Sequence, residues 1–487
     1  MKRLALSLTV LFGVVLALLV IRTVTFRSRQ LHPPSTAQLQ LDQKATVTRL
    51  SEAIQFKTIS IEFVKKQSNT DPFRNFHAFL EKSFPRIHTQ LTKEVVNDYS
   101  LLYTWKGKDD RLKPILLMAH LDVVPVDPDS DSSWTYGPFS GQVADGYVWG
   151  RGAIDDKASL LGMLEAVERL LADGFQPQRT VYLAFGQDEE TGGQQGAAKI
   201  AALLGGRGVQ LEFALDEGSG IVSGIIPDVA RPVAMIGLGE KGYLTLELTV
   251  TSPGGHSSLP PSESAIGILS RAIDKVERTP FPSRVNNAVK EFFNFVGPEL
   301  SWDKRVLFAN LWLTEPWLER ELAKSPLTDS MIRTTKATTI FHAGDKENVL
   351  PARAQATINF RLISGDTVDA VIARVRQAID DARVKVTPLP SAIDPSPISS
   401  VDAEGFKLVR RTISEVAPET IVAPFLTIAA TDTRHYASLT KNIYRFVPVI
   451  FRPEDTKRIH GIDERIPIGD YLRCINFYAQ LIRNSDP

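Results

Sequence analysis

The sequence predicts an α/β protein: a larger domain with a doubly wound, mostly parallel sheet, into which a smaller α+β domain is inserted. Two observations indicate the parallel sheet. Apolar runs that are typical of buried strands alternate with helical patterns from about residue 36 to residue 216, and charged residues follow the ends of those runs. A third observation indicates the insertion, because a period-two pattern begins near Lys241 and changes the texture of the sequence. With 487 residues, the chain is long enough for more than one domain.

Three apolar runs are the predicted strands of the main sheet: residues 114–119, 180–185 and 211–215. One helix is predicted over residues 160–171, where leucine and valine recur at helical spacing. Ser159 is its expected N-cap, and Gly174 is expected to end it.

The inserted domain is predicted to contain two strands, residues 243–250 and 354–363, and a turn follows the first of them at residues 252–255. It is also predicted to contain a helix over residues 262–278 and an amphipathic helix over residues 367–382. A segment rich in proline and serine, residues 388–397, is expected to lead back to the main sheet. The predicted boundaries are 1–30 for an N-terminal segment, 31–241 and 391–487 for the catalytic domain, and 242–390 for the insertion.

The composition narrows the class of protein. The chain is 43% hydrophobic and 23% charged, as in ordinary globular proteins, and its 56 basic and 56 acidic residues cancel. Nothing in this balance favours nucleic acid as a partner. Since Cys474 is the single cysteine, a disulfide framework and a thiolate zinc cluster are both excluded. A metal ion would therefore be held by histidine and carboxylate ligands.

The N-terminus carries an uncharged apolar run, residues 4–21, which would span about 27 Å as a helix against a bilayer core of about 30 Å. Lys2 and Arg3 precede the run; Arg22, Arg27 and Arg29 follow it in place of a clear cleavage site. Two interpretations stay open: a retained membrane anchor with an extracytoplasmic catalytic domain, or a cleaved signal and a secreted protein. Residues 31–38 are interpreted as a spacer.

Five residues form the candidate metal site: His120, Asp155, Glu190, Asp216 and His460. Four of them follow apolar runs, and in an open α/β sheet side chains from different strands converge at the carboxyl ends. Zinc accepts both imidazole and carboxylate ligands, and a carboxylate can bridge two ions. Each residue alone has an ordinary structural explanation, but the set together predicts a metal site.

Two further residues suit hydrolysis at such a site. Glu189 directly precedes the candidate ligand Glu190, so it can hold a water molecule and pass its proton to a leaving amine. Asp122, two residues after His120, can bond the second ring nitrogen of that histidine and fix its tautomer. The alternative for the run of acidic residues at 188–190 is an exposed helix start that is stabilised by the helix dipole.

Four segments resemble signatures of the M20 family of metallopeptidases, in the branch that contains carboxypeptidase S and the enzyme that makes and cleaves N-fatty-acyl amino acids. They are MAHLDVVP (118–125), WGRGAIDDK (149–157), QDEETGG (187–193) and LDEG (215–218). The resemblance covers nearly all of the chain after the N-terminal segment. It implies two zinc ions per subunit, with Co²⁺ or Mn²⁺ also compatible.

The resemblance also implies a role for each site residue. His120 and Asp216 would hold one zinc ion, Glu190 and His460 the other, and Asp155 would bridge them. Glu189 would be the general acid/base, and the Asp155–Asp156 peptide would be cis.

The inserted domain is similar to the family's lid or dimerisation domain, which allows a homodimer through this domain. His256, in the segment GGHSS, would then stabilise the oxyanion of the tetrahedral intermediate. Asn348 and Arg361 would hold the carboxylate of the substrate, with Arg361 as a bidentate fork. Arg434 is a weaker candidate for the same carboxylate.

These features together predict a dizinc amidohydrolase. It would cleave, reversibly, the amide between an acyl or aminoacyl group and a C-terminal amino acid, as in N-acyl amino acids. A carboxypeptidase for short peptides is the first alternative, and a tethered protein that binds acyl amino acids without turnover is the second. An aromatic stretch, Trp302, Phe308, Trp312 and Trp317, is interpreted either as ordinary packing or as the lining of an acyl pocket.

Overall fold

The computed structural model describes residues 2–34, 36, 38–60, 71–226 and 228–486. Its α-helices are α1 (Lys2–Thr25), α2 (Gln43–Ile54), α3 (Pro72–Ser83), α4 (Pro85–Gln90), α5 (Lys157–Ala172), α6 (Ala197–Gly206), α7 (Ala265–Arg278), α8 (Asn287–Val296), α9 (Trp302–Ala309), α10 (Leu311–Leu322), α11 (Pro326–Ile332), α12 (Val368–Ile379), α13 (Glu404–Val416) and α14 (Ile468–Ser485).

The strands are β1 (Thr92–Val96), β2 (Ser100–Trp105), β3 (Ile115–His120), β4 (Val143–Ala144), β5 (Tyr147–Trp149), β6 (Val181–Gly186), β7 (Phe213–Asp216), β8 (Ile221–Val222), β9 (Val233–Glu240), β10 (Gly242–Thr251), β11 (Gly255–His256), β12 (Thr335–Ala343), β13 (Val349–Leu350), β14 (Arg353–Leu362), β15 (Val384–Pro388), β16 (Ile421–Thr427), β17 (Ile443–Arg445), β18 (Ile450–Phe451) and β19 (Arg465–Pro467).

The large sheet has the strand order β1-β2-β6-β3-β7-β17-β9-β8-β18, with β16 also paired to β9. Its centre is parallel, because β3 runs parallel to β6 and β7, and β17 runs parallel to β7. Helices α5 and α14 pack against each other, with Gly162 of α5 facing Cys474 and Tyr478 of α14. This confirms the predicted α/β class with a mostly parallel central sheet.

A second sheet, of order β12-β14-β10-β15, lies in the predicted insertion. β10 and β14 pair antiparallel along their whole length, from Gly242 opposite Leu362 to Thr251 opposite Arg353. Helices α7 and α12 contact this sheet, and together they enclose a hydrophobic core separate from that of the large sheet. β12 is an outer strand, and its residues 337–342 are exposed.

Part of the range 242–390 packs elsewhere. Helix α8 lies on β16 of the large sheet, where Phe292 meets Phe425 with ring centroids 6.4 Å apart. In the aromatic stretch, Phe308 stacks on Phe293 at 4.3 Å. The three tryptophans of the stretch are instead exposed: Trp302, Trp312 and Trp317.

The predicted elements lie close to the observed ones, and the N-cap at Ser159 is the exception. Helix α5 begins at Lys157, so Ser159 lies inside its first turn. The apolar spacing did not mark this turn because its first residue is a buried lysine, whose Nζ donates to the carbonyl oxygens of Ala53 (3.0 Å) and Phe56 (2.6 Å). The predicted end is correct, since the helix stops at Ala172, two residues before Gly174.

Candidate active site

The candidate site lies at the carboxyl edge of the large sheet. β3 ends at His120 and β7 ends at Asp216, while β6 leads into the turn that carries Glu189 and Glu190. The parallel pairing of β3 with both neighbours brings these three ends to the same edge. Strand topology therefore assembles residues from segments that are distant in sequence.

Asp155 lies between the two histidines. Its Oδ1 is 2.8 Å from Nε2 of His120, and its Oδ2 is 3.0 Å from Nε2 of His460. The same His460 nitrogen is 3.1 Å from Oε2 of Glu190. The Asp155–Asp156 peptide is cis, as the family resemblance predicted. Each carboxylate oxygen of Asp155 thus faces a different histidine, which is the arrangement expected of a bridging ligand.

The site has the charge and the unpaired atoms that suit a cation. Ligand atoms of His120, Asp155 and Glu190 lie within 4.8 Å of one another. Within the described ranges, Oε1 of Glu190 and Oδ2 of Asp216 are buried without a hydrogen-bond partner. Buried polar atoms without partners are costly, and bound cations relieve that cost. These residues therefore fit a metal site made of histidine and carboxylate ligands.

Electrostatics supports the same interpretation. Burial raises the pKa of Asp216 to about 6, and it raises the pKa of Glu189 well above its ordinary value. Hydrogen bonds to Asp155 and Glu190 raise the pKa of His460 to about 10. The carboxyl groups of Asp216 and Glu189 thus hold protons more tightly than usual because they are buried. The pKa of Asp155 is instead lowered, since His120 and His460 donate hydrogen bonds to it.

Asp122 contacts the second ring nitrogen of His120, the nitrogen that the sequence prediction named, and it also holds the turn of the two glutamates. Nδ1 of His120 is 2.9 Å from the backbone oxygen of Asp122 and 3.3 Å from its carboxylate. The Asp122 carboxylate accepts hydrogen bonds from the backbone nitrogens of Glu189 (3.1 Å) and Glu190 (3.2 Å) and from the hydroxyl of Ser60. The residue therefore orients the histidine mainly through its carbonyl, while its carboxylate holds the turn that carries the two glutamates.

Glu464 is a buried residue that sequence reasoning missed. Its Oε1 accepts from the backbone nitrogens of Gly152 (3.0 Å), Ile154 (2.9 Å) and Asp155 (3.3 Å), and its Oε2 is 2.6 Å from Nη1 of Arg151. Nη2 of Arg151 donates to the backbone oxygen of His460 at 3.0 Å. Glu464 and Arg151 thus connect the loop of Asp155 to the loop of His460. The available signal was the four-residue spacing from His460 to Glu464 in HGIDE.

We expect Glu464→Gln to weaken metal binding by roughly 10- to 100-fold, the usual effect of removing a group that orients metal ligands. The amide keeps the size of the side chain, but it presents hydrogen atoms to Arg151 where the carboxylate presented an acceptor. Zinc affinity measured with a competing chelator tests this. Glu419→Gln, at an exposed position, is the matched control. Unchanged affinity in the Glu464 variant would show that the network does not position the ligands.

Asp432 is a second residue that the sequence did not mark. It is buried, and both of its carboxylate oxygens lack hydrogen-bond partners among the described residues. A side chain at Gly193 would collide with Asp432, so this glycine permits the close approach of the Asp432 segment to the turn of Glu189 and Glu190. Burial raises the pKa of Asp432 well above its ordinary value, so Asp432 places a second easily protonated carboxyl group behind that turn.

The other predicted residues occupy two locations. Arg434 lies beside the turn of the candidate ligand Glu190. Its guanidinium faces Gly192, and a Cβ atom added to that glycine would lie 3.5 Å from Nη2 of Arg434. His256 and Asn348 lie at the exposed β11–β13 ribbon, where the backbone oxygen of Asn348 accepts from the backbone nitrogen of Ser257 at 3.1 Å. Both hydrogen bonds recorded for Nδ1 of His256 are with Ser258.

Arg361 lies in the small sheet, not among the candidate ligands. Its guanidinium carbon is 4.7 Å from the ring centre of Tyr243, and burial lowers its pKa. The positively charged face of this guanidinium is therefore supported by an aromatic ring.

The chain matches the model of peptidase family M20/M25/M40 over residues 116–484. It is 44% identical to probable carboxypeptidase S-like 2 of Dictyostelium discoideum over 97% of this chain and 92% of that protein. It is 41% identical to an N-fatty-acyl-amino acid synthase/hydrolase of Xenopus tropicalis over 97% and 93% of the two chains.

Solved structures show the same fold at low identity. An M20 family metallo-carboxypeptidase from Sulfolobus solfataricus superposes with a TM-score of 0.64 at 19% identity, over 90% of this chain and 99% of that one. Human carnosine dipeptidase 1 gives 0.65 at 15% identity, over 91% and 96%.

Proposed function

Since the chain belongs to peptidase family M20/M25/M40, it is a hydrolase of amide bonds, and we propose that it is a dizinc enzyme that releases a C-terminal amino acid from an acyl or aminoacyl group. The observation that carries this proposal is the position of Asp155 between His120 and His460, beside buried carboxylate oxygens without partners. The alternative of a tethered protein that binds acyl amino acids without turnover does not explain why the chain belongs to a family of peptidases.

The five predicted ligands divide naturally between two ions. His120 and Asp216 would hold one zinc ion, His460 and Glu190 the other, and Asp155 would bridge them. The contacts of His460 with both Asp155 and Glu190 support this division. Cobalt or manganese suits the same nitrogen and oxygen ligands. When bound, the ions supply polarisation of the amide carbonyl and a lowered pKa for water.

The chain's own residues would move the proton. Glu189 takes a proton from the attacking water and gives it to the nitrogen of the leaving amino acid. The backbone nitrogen of Glu189 donates a hydrogen bond to the carboxylate of Asp122, and this bond fixes the position of the Glu189 backbone that carries the side chain. Because each step is reversible, the same groups also catalyse condensation of the acyl group with the amino acid.

Three residues of the small domain and one of the large domain would recognise the substrate. Arg361 and Asn348, with Arg434, would bind the free carboxylate, and His256 would donate to the oxyanion. His256 and Asn348 are neighbours on an exposed ribbon, so they would reach a substrate when the small domain closes or when a second copy presents them. The exposed outer strand β12 offers an edge through which a homodimer would form.

We propose that α1 is a retained anchor and that the catalytic domain lies outside the cytoplasm. α1 is long and apolar enough to cross a membrane. Its last turns also make polar contacts with Asn310, the residue between α9 and α10: Nδ2 of Asn310 donates to the backbone oxygen of Leu19 and to Oγ1 of Thr23, both at 3.3 Å. Gln30 continues this attachment, exchanging hydrogen bonds of 2.8 Å and 3.1 Å with the backbone of Val422. Cleavage after α1 would remove the Asn310 contacts; in that case the protein is secreted.

A substrate screen separates the two enzymatic alternatives. Purified full-length enzyme is given N-acyl amino acids and dipeptides that share the same C-terminal residue, with and without a chelator, and released amino acid is measured. Preference for the acyl series supports the N-acyl amino acid assignment, and preference for dipeptides supports the carboxypeptidase alternative. No chelator-sensitive release from either series contradicts the proposed function.

Arg361→Lys is expected to raise KM for substrates with a free C-terminal carboxylate. Lysine keeps the charge but lacks the planar fork and stacks less well on Tyr243. Steady-state kinetics on free and amidated substrates measures the effect, and the wild type should strongly prefer the free acid. Equal hydrolysis of amidated substrates by the wild type would remove both the Arg361 assignment and the requirement for a carboxylate.

A further inference from the structure

Helix α10 presents an apolar surface to solvent. Four neighbouring residues on this helix are exposed, and we call them the tryptophan face: Trp312, Leu313, Pro316 and Trp317. Their spacing places them on one stripe, while Leu318 and Leu322 are buried. Trp312 and Leu313 are each 50% exposed and Trp317 is 46% exposed. A surface helix ordinarily turns polar residues outward, so a contiguous stripe of this kind indicates a contact surface.

The tryptophan face is connected to α1 through α9. The carbonyl of Phe26, just after α1, accepts from Nε of Arg305 at 3.0 Å. Nearer the end of α9, the carbonyl of Ala309 accepts from Nε of Arg22 at 3.3 Å, and Asn310 bonds Leu19. As α9 advances, its partners move backwards along α1, so the two helices run antiparallel.

This direction sets the depth of the tryptophan face. From Phe26 back to Leu19, α1 would cover about 10 Å. Leu19 belongs to the uncharged apolar run, and Asn310, which bonds it, also accepts from Nε1 of Trp312 at 3.3 Å. The start of α10 therefore lies at the level of the last apolar turns of α1. Trp302 is the first residue of α9, at the end of that helix farther from α10, so it lies farther from the apolar run of α1 than Trp312 does.

We propose that the tryptophan face inserts into the interfacial layer of the lipid bilayer that α1 crosses. This inference rests on the proposal that α1 is a membrane anchor. Tryptophan favours the membrane interface because its ring is apolar and its N–H is polar, and basic residues favour the headgroups beside it. Arg320 on the same exposed side of α10 and Arg27 after α1 are exposed basic residues of this kind. The catalytic domain would then be held against the membrane surface by two elements, α1 and α10.

Fluorescence quenching by brominated phospholipids tests this insertion. Full-length protein is reconstituted in vesicles of phosphatidylcholine and phosphatidylglycerol, with or without bromine on the acyl chains. Tryptophan emission of the wild type should be quenched by the brominated lipid. Trp312→Phe/Trp317→Phe should lose most of that quenching, because phenylalanine keeps the apolar face and removes the emitters. Trp302→Phe is the matched control and should keep the quenching.

Alkaline carbonate extraction of the same vesicles reports on α1 separately. One outcome is that the protein stays with the vesicles but the Trp312/Trp317 variant is quenched as strongly as the wild type. That outcome overturns the proposed insertion of the tryptophan face and leaves the anchor intact. If carbonate releases the protein and the quenching depends on Trp312 and Trp317, the proposal that α1 is a membrane anchor is overturned instead. A second copy covering the face would leave these tryptophans unquenched, and that result also overturns the proposal.

Discussion

Glu189→Gln is expected to lower kcat by at least about 100-fold and to leave both metal ions bound, because glutamine keeps the shape of the side chain and cannot carry the proton. Glu189 lies beside the proposed ligand Glu190, and its backbone nitrogen donates a hydrogen bond to Asp122 whether or not its side chain is charged. Steady-state kinetics and elemental analysis of the same preparation measure the two quantities.

The exposed Glu419→Gln is the control for the change from acid to amide. A Glu189 variant with near-normal activity would show that another group transfers the proton. A variant that loses both activity and metal would assign Glu189 to metal binding.

Asp155→Ala should act on the metals themselves. The substitution removes a carboxylate whose two oxygens face His120 and His460, so both proposed ions would lose a ligand together. Metal content and activity should fall together. Asp402→Ala, on an exposed loop, is the matched control. Two tightly held metal ions in the Asp155 variant would contradict the bridging role.

The family and the fold class were both predicted from the sequence and are confirmed. The family was identified from its resemblance to four short motifs. Local patterns were sufficient for the fold class because buried parallel strands are short apolar runs with charged residues at their ends. Such runs placed β3, β6 and β7 within two residues of their observed limits. The same reasoning indicated which side chains gather at one edge of the sheet.

The surroundings of the site were harder to predict. Glu464 is an acidic residue in a polar segment, and only the fold shows that four donors converge on it. Asp432 belongs to a segment that was noted for Arg434, yet its burial depends on the glycines opposite it. In both cases the decisive contacts join residues more than 200 positions apart, which a local pattern does not encode.

Packing partners were equally hidden. Helix α8 lies within the predicted range of the insertion, yet it packs on β16 of the large sheet. The order of elements along the chain does not show which core a helix joins. The exposure of Trp312 and Trp317 could not be predicted for the same reason. An aromatic residue in a sequence is compatible with a core, a pocket or a surface.

The most direct test of the two-metal account is a zinc titration of the chelator-treated, full-length enzyme, with amide hydrolysis and bound zinc measured in the same samples. We expect no turnover without metal and full turnover at two zinc ions per chain. Full turnover of the metal-free enzyme, or saturation of activity at one ion with no second site, would contradict it.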